Sequence, residues 1–115
     1  MPEEAGRVTA VVSAYIAALR RHGIAAEKVY LFGSRARGDA RPDSDIDLII
    51  VSTAFSGMPA WKRWEVLGDA LSEVLEPIEA LAYSPEEFEA RKDRKGSFLG
   101  HLLSQPEVVQ FRPET

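Results

Sequence analysis

Apolar residues recur along the chain at two different spacings. From residue 3 to about residue 22, Val8, Val11, Val12, Tyr15, Ile16 and Leu19 fall on one face at helical intervals, which predicts an amphipathic helix. Arg20, Arg21 and His22 occupy its last turn, where positive charge suits the helix dipole, and Gly23 is a natural stop. That position accounts for His22 without a catalytic role. Val29 to Phe32 and Ile46 to Val51 are short, unbroken apolar runs rich in β-branched or aromatic residues, so both predict buried strands. A second helical stripe, Trp61, Trp64, Leu67, Leu71, Val74 and Leu75, predicts a helix from Pro59, at its first position, to about Glu76. This places both tryptophans in the core, with Gly68 marking a close approach to the sheet.

Pro77 is expected to end that helix, and Ile78 to Tyr83 reads as a third strand. Period 2 puts Glu79, Leu81 and Tyr83 on one face and Ile78, Ala80 and Ala82 on the other. Ser84-Pro85-Glu86-Glu87 is a capping box that opens a helix to Arg94. Its basic end, with Arg91, Lys92, Arg94 and Lys95, reads as a solvated face. Phe98 to Ser104 forms a further short helix closed by Pro106, and Glu107 to Phe111 a last strand; residues 112–115 read as a frayed end. His101 has no carboxylate or cysteine companion in the sequence around it. The order of elements predicts an α/β (α+β) fold, a small mixed β-sheet flanked by helices.

Composition narrows the classes of function. A chain of 115 residues, 45% apolar and 28% charged, reads as one globular domain spanning 1–115. No apolar run has the length of a membrane span, and the acidic start MPEEAG does not resemble a signal peptide, so no membrane association and a cytoplasmic location are expected. The absence of cysteine excludes disulfides, thiolate nucleophiles and cysteine-based zinc sites. A net charge of −4 argues against extended nucleic-acid binding, which needs a basic stripe, but is compatible with a single nucleotide held through metal ions.

The chemistry concentrates between the first two strands. The first ends at Gly33-Ser34, followed by Arg35, Ala36 and Arg37, which predicts a tight turn into a short helix with Ser34 near its N-cap. Backbone N–H groups at a helix start, a hydroxyl, and a glycine that admits a ligand to the backbone together make a phosphate seat. Gly38 and Asp39 break the helix, Arg41-Pro42-Asp43-Ser44 is turn chemistry, and the second strand is expected to begin at Asp45. Asp45 and Asp47 then project from one face. Two ionised carboxylates so close repel unless a cation lies between them, and a hard divalent cation, Mg²⁺ above all, is the fitting partner. Phosphate donors, metal-binding carboxylates and basic side chains are the parts that phosphoryl or nucleotidyl transfer requires.

The stretch GSRARGDARPDSDIDLIIV resembles the signature of the DNA polymerase β-like nucleotidyltransferase superfamily, and within it the minimal nucleotidyltransferases of the MNT type. The resemblance covers residues 28 to 51 closely and extends loosely to Tyr83. It implies that Gly33 and Ser34 hold the triphosphate, that Asp45 and Asp47 bind one or two Mg²⁺ ions, and that a third carboxylate sits on a later strand. Glu79 fills that place as a catalytic and metal-binding candidate, where the family usually carries Asp; the competing view is a solvent-facing acid on an edge strand. Arg35, Arg37 and Arg41 are the candidates for phosphate charge. Stacking of one tryptophan on a nucleobase is the alternative to a core role. The resemblance further implies AMP transfer from ATP to a tyrosine of a HEPN-type helical partner, the protein being the antitoxin of a toxin–antitoxin pair. A second copy of the chain, a partner protein or the acceptor itself would supply the wall that larger relatives build from a further domain. The alternatives are a small-molecule nucleotidyltransferase, like those acting on aminoglycosides, and an inactive binding module that neutralises its partner by contact.

Overall fold

The structure, a computed structural model, describes residues 2–38 and 44–111. Helix α1 (Pro2–Arg21) is followed by strand β1 (Lys28–Phe32), a single-turn helix α2 (Ser34–Arg37), strand β2 (Ile46–Val51), helix α3 (Ala60–Val74), strand β3 (Ile78–Tyr83), helices α4 (Pro85–Lys92) and α5 (Phe98–Leu103), and strand β4 (Val109–Phe111). The expected frayed end at 112–115, Arg41 and the turn around it lie outside the described residues.

The four strands form one mixed sheet in the order β3-β2-β1-β4. β1 pairs antiparallel with β2 and β4, while β2 and β3 run parallel, joined through α3 as a parallel pair requires. Alternation along the strands divides the core in two. Val29, Leu31, Ile46, Leu48, Ile50 and Ile78 pack with Val8, Val12, Tyr15 and Leu19 of α1 and Ala70 of α3. On the other face Ile49 and Val51 pack with Phe88, Leu99 and Leu102 of α4 and α5. The period-2 assignment of β3 holds, with Ala80 and Ala82 turned to the first cluster and Leu81 and Tyr83 to the second. Among the described residues, no helix is long and apolar enough to cross a membrane.

α1 ends as anticipated, with Gly23 at φ 88° and its N–H donating to the Arg20 carbonyl. His22 follows the last helical residue and, with Arg21, pairs with Glu73 of α3. The ion pair is a sufficient structural account of this histidine.

α3 departs from the expected pattern. Pro59 is its N-cap rather than its first residue, and the helix stops before Pro77, at Leu75 in the left-handed conformation with φ 60°. Its inward stripe runs through Ala70, which is buried, and the partly buried Val66, Leu67, Leu71 and Val74. Trp61 and Trp64 are not in the core; they are 66% and 77% exposed, and Gly68 has open space around it rather than a close neighbour. Arg63 is what turns inward at this end. Its Nε donates to the Met58 carbonyl (2.9 Å), and its guanidinium also donates to the carbonyls of Phe55 and Ala82 and to both Glu87 carboxylate oxygens at 2.7 and 3.0 Å.

Glu87 is also the acid of the predicted capping box, which is present: the Ser84 hydroxyl accepts from the Glu87 N–H and the Glu87 carboxylate from the Ser84 N–H. The fork-to-fork contact with Arg63, opposed by burial and helped by Ser84, holds the Glu87 carboxyl down at about 2. A depressed carboxyl stabilises the fold above its unfolded value near 4.5 and loses that contribution as pH falls toward 2. Arg63→Met is therefore expected to cost about 1.5 to 3 kcal/mol near neutral pH and to flatten the acid limb of a thermal-unfolding series; an unchanged melting temperature and acid limb would contradict this role.

Candidate active site

β1 ends, and β2 and β3 begin, at the same end of the sheet. Phe32 is opposite Asp47 across the antiparallel pair, and Asp47 is level with Glu79 across the parallel pair. Residue register alone therefore brings the end of the Gly33-Ser34 segment, the Asp47 carboxylate and the third-strand acid into one row. The shared odd-numbered parity places Asp47 and Glu79 on the α4–α5 face.

Gly33 is shaped for this position. Its φ is 76°, and a Cβ there would lie 2.3 Å from the Asp47 Oδ2. A side chain is excluded both by backbone conformation and by the carboxylate against which the glycine packs. Gly33 rather than Ser34 is the N-cap of α2; its carbonyl accepts from the N–H groups of Ala36 and Arg37. The Ser34 N–H thus stands at the opening of the turn, ahead of the helical hydrogen bonds, as a phosphate seat needs.

The strand begins at Ile46 rather than Asp45, because pairing starts where the Ile46 N–H reaches the Pro77 carbonyl at 2.8 Å. Asp45 stands just before it, exposed, while Asp47 is partly buried and Glu79 exposed. Burial first, then the negative charges of Glu79 and Asp45, push the Asp47 carboxyl above its ordinary value, and Arg37 opposes them. Glu79 and Asp45 therefore both bear electrostatically on Asp47. Among the described residues no three acidic or histidine side chains converge tightly enough to enclose a metal ion unaided. A carboxylate pair whose repulsion a cation would relieve nonetheless fits a hard divalent ion that takes its remaining oxygen ligands from phosphate and water.

The arginines divide. Arg35 donates from Nη2 to the Ser44 carbonyl at 3.1 Å, tying α2 to the residue before Asp45. Arg37 is exposed and lines, with Phe32 and Gly33, a cavity of about 230 Å³ whose other walls include Phe98, His101 and Gln105. Sequence reasoning did not connect these last three with the site. No local signal marks them, because only the packing of α5 against the second core brings them beside Gly33.

Residues 13–104, which include every site residue expected from the sequence, match the family model of a nucleotidyltransferase domain. The chain belongs to the nucleotidyltransferase domain family. Nucleotidyl transfer is the chemistry of that family, on nucleoside triphosphates with divalent metal, so the enzymatic expectation and the superfamily resemblance both hold. Among solved structures, this nucleotidyltransferase is similar to a candidate nucleotidyltransferase from Sulfolobus solfataricus, at 22% identity and a TM-score of 0.62 over 95% of this chain and 83% of that one, a likeness of fold. A second similar structure is a toxin–antitoxin solved with AMP-PNP, at 26% identity and a TM-score of 0.45 over 61% of this chain and 56% of that one. No curated protein matches the sequence.

The Gly33–Asp47 contact yields a prediction in this nucleotidyltransferase. Gly33→Ala should destabilise the fold by about 1 to 3 kcal/mol, through positive φ and through displacement of the carboxylate. In an Asp47→Ala background the same change should cost less, leaving only the backbone part. Chemical-denaturation midpoints of the four proteins check this; equal costs in both backgrounds would show that the two residues do not meet.

Proposed function

We propose that this nucleotidyltransferase moves a nucleoside monophosphate, AMP from ATP, onto a hydroxyl acceptor, with Mg²⁺ bound by Asp45 and Asp47 and with Glu79 as the third carboxylate of the site. The acceptor we propose is a tyrosine of a HEPN-type helical partner, with the protein as antitoxin of the pair, as the family resemblance in residues 28 to 51 implies. The observation that supports the transfer reading most strongly is that Asp47 stands level with Glu79 on the neighbouring strand and packs against Gly33, the residue just after β1.

In this reading the backbone at Gly33 and Ser34, with the Ser34 hydroxyl, holds the β and γ phosphates, and the positive φ of Gly33 keeps that backbone open to them. Asp45 and Asp47 hold the metal, which when bound stabilises charge on the entering and leaving oxygens. Glu79, level with Asp47, takes the proton of the acceptor hydroxyl as its oxygen bonds to the α-phosphorus and pyrophosphate departs. Its side chain is one methylene longer than the aspartate usual in the family and reaches the same row from an exposed position. Arg37, at the mouth of the phosphate seat, offsets charge on the leaving pyrophosphate; Arg35 acts with it and positions the turn through Ser44. Arg41 is assigned to the same charge by sequence.

Calorimetric titration with ATP is expected to show binding that requires Mg²⁺ and weakens strongly in Asp47→Asn. Glu79→Gln should keep much of that affinity while lowering transfer of label from ATP to a co-purified partner by about 100- to 10,000-fold, the range of a general base. Partner neutralisation that persists in Asp47→Asn and Glu79→Gln, with no label transferred by the unaltered protein, would replace the enzymatic reading with one of contact alone.

A further inference from the structure

The cavity of about 230 Å³ beside Gly33 has a lining that phosphate binding does not explain. Phe32, Phe98, Leu102 and Val108 give it apolar walls, and Glu107 adds an acid that would repel an anion. Phe98 is 60% exposed, so an aromatic ring stands at solvent here instead of joining the core. The volume is below the roughly 300 to 1,000 Å³ of sites that enclose a whole small ligand. It suits a nucleobase better than an entire nucleotide.

Position agrees with this lining. Phe32, Leu102 and Val108 belong to the second core, so the cavity lies on the α4–α5 face of the sheet, the face that also carries Asp47 and Glu79. α2 lies toward the other face, where Ala36 packs with the α1 and α3 core. Gly33 joins the three parts: it caps α2, meets the Asp47 carboxylate and lines the cavity. Arg37 lines the cavity as well and is close enough for its charge to act on Asp47. A nucleotide with its β and γ phosphates at the start of α2 and its α-phosphate at Asp47 carries its nucleoside onto the α5 side, toward this cavity.

The polar groups favour one kind of base. Gln105 Nε2 donates to the His101 carbonyl at 3.3 Å and lies 3.4 Å from His101 Nε2. That bond fixes which way the amide is turned and leaves Oε1 without a partner among the described residues. Glu107 is a second acceptor in the lining. Acceptors match the exocyclic amine of adenine, whereas guanine carries a carbonyl oxygen at the corresponding position and would set oxygen against oxygen. Cytosine also bears an amine but offers Phe98 a smaller ring.

We propose that this cavity holds the nucleobase and selects adenine, with Phe98 stacked on the ring and Gln105 Oε1 accepting from its amine. The proposal rests on the transfer reading for the placement of the phosphates; it adds which base is chosen and which residues choose it. Neither tryptophan lines the cavity, so the stacking role falls to α5 instead of α3.

Calorimetric titrations in Mg²⁺ with ATP, GTP and inorganic tripolyphosphate separate the base from the phosphates. ATP should bind about tenfold or more tightly than GTP, and Gln105→Ala should reduce that ratio. Phe98→Ala, at an exposed position, should weaken ATP by about 5- to 150-fold, the range for one stacked base, and leave tripolyphosphate unchanged. Equal affinity of the wild type for ATP and GTP, or ATP binding untouched by Phe98→Ala, would overturn the base pocket while tripolyphosphate binding left the phosphate seat standing. Failure of the wild type to bind either ATP or tripolyphosphate would overturn the transfer reading itself, and the base pocket with it.

Discussion

The candidate site depends on the contact between Gly33 and Asp47. A residue with a side chain at position 33 would occupy the space of the Asp47 carboxylate, and any L-residue there would be strained at φ 76°. The glycine therefore performs two tasks at once: it turns the chain from β1 into α2, and it lets the phosphate seat and the acidic strand close to contact distance. The strand register makes that meeting reproducible, since Phe32, Asp47 and the neighbouring Glu79 are fixed by ladders to β2, which is apolar and buried at every position but Asp47. Repulsion among the carboxylates is tolerated because the core on both faces holds the strands in place. The same repulsion is what favours a cation there.

Support for this end of the sheet is built at some distance from it. Arg63 joins α3, the turn containing Phe55 and Met58, the end of β3 and the first turn of α4 through one guanidinium. These segments hold β3, and with it Glu79, beside β2. Inward-facing Arg63 also leaves Trp61 and Trp64 outward, so one exchange of expected roles on α3 accounts for both the partly buried ion pair and the exposed tryptophans.

Much of this was legible in the sequence because it is local. Apolar runs define the three long strands, the Ser84–Glu87 capping box is a four-residue pattern, and Gly-Ser followed by two spaced aspartates carries its chemistry within one short stretch of chain, from the end of β1 into β2. Glu79 stood out as an acid in an apolar strand, and register places it level with Asp47. Other features depend on partners distant in sequence. Hydrophobicity alone assigned Trp61 and Trp64 to the core, whereas Arg63 satisfies five acceptors there and takes the inward position. Leu75 ends α3 in a conformation usually left to glycine or asparagine, which no residue preference predicts. Phe98, His101 and Gln105 reach the neighbourhood of Gly33 only through the packing of α5.

The central claim, that the phosphate seat and the acidic row form one metal–nucleotide site, is tested most directly by locating the metal. Mn²⁺ added with a non-hydrolysable ATP analogue to ¹⁵N-labelled protein should broaden the amide signals of Gly33, Ser34, Asp47 and Glu79 selectively. Broadening centred elsewhere, such as along the basic segment from Lys92 to Lys95, with those four signals left sharp, would contradict the account.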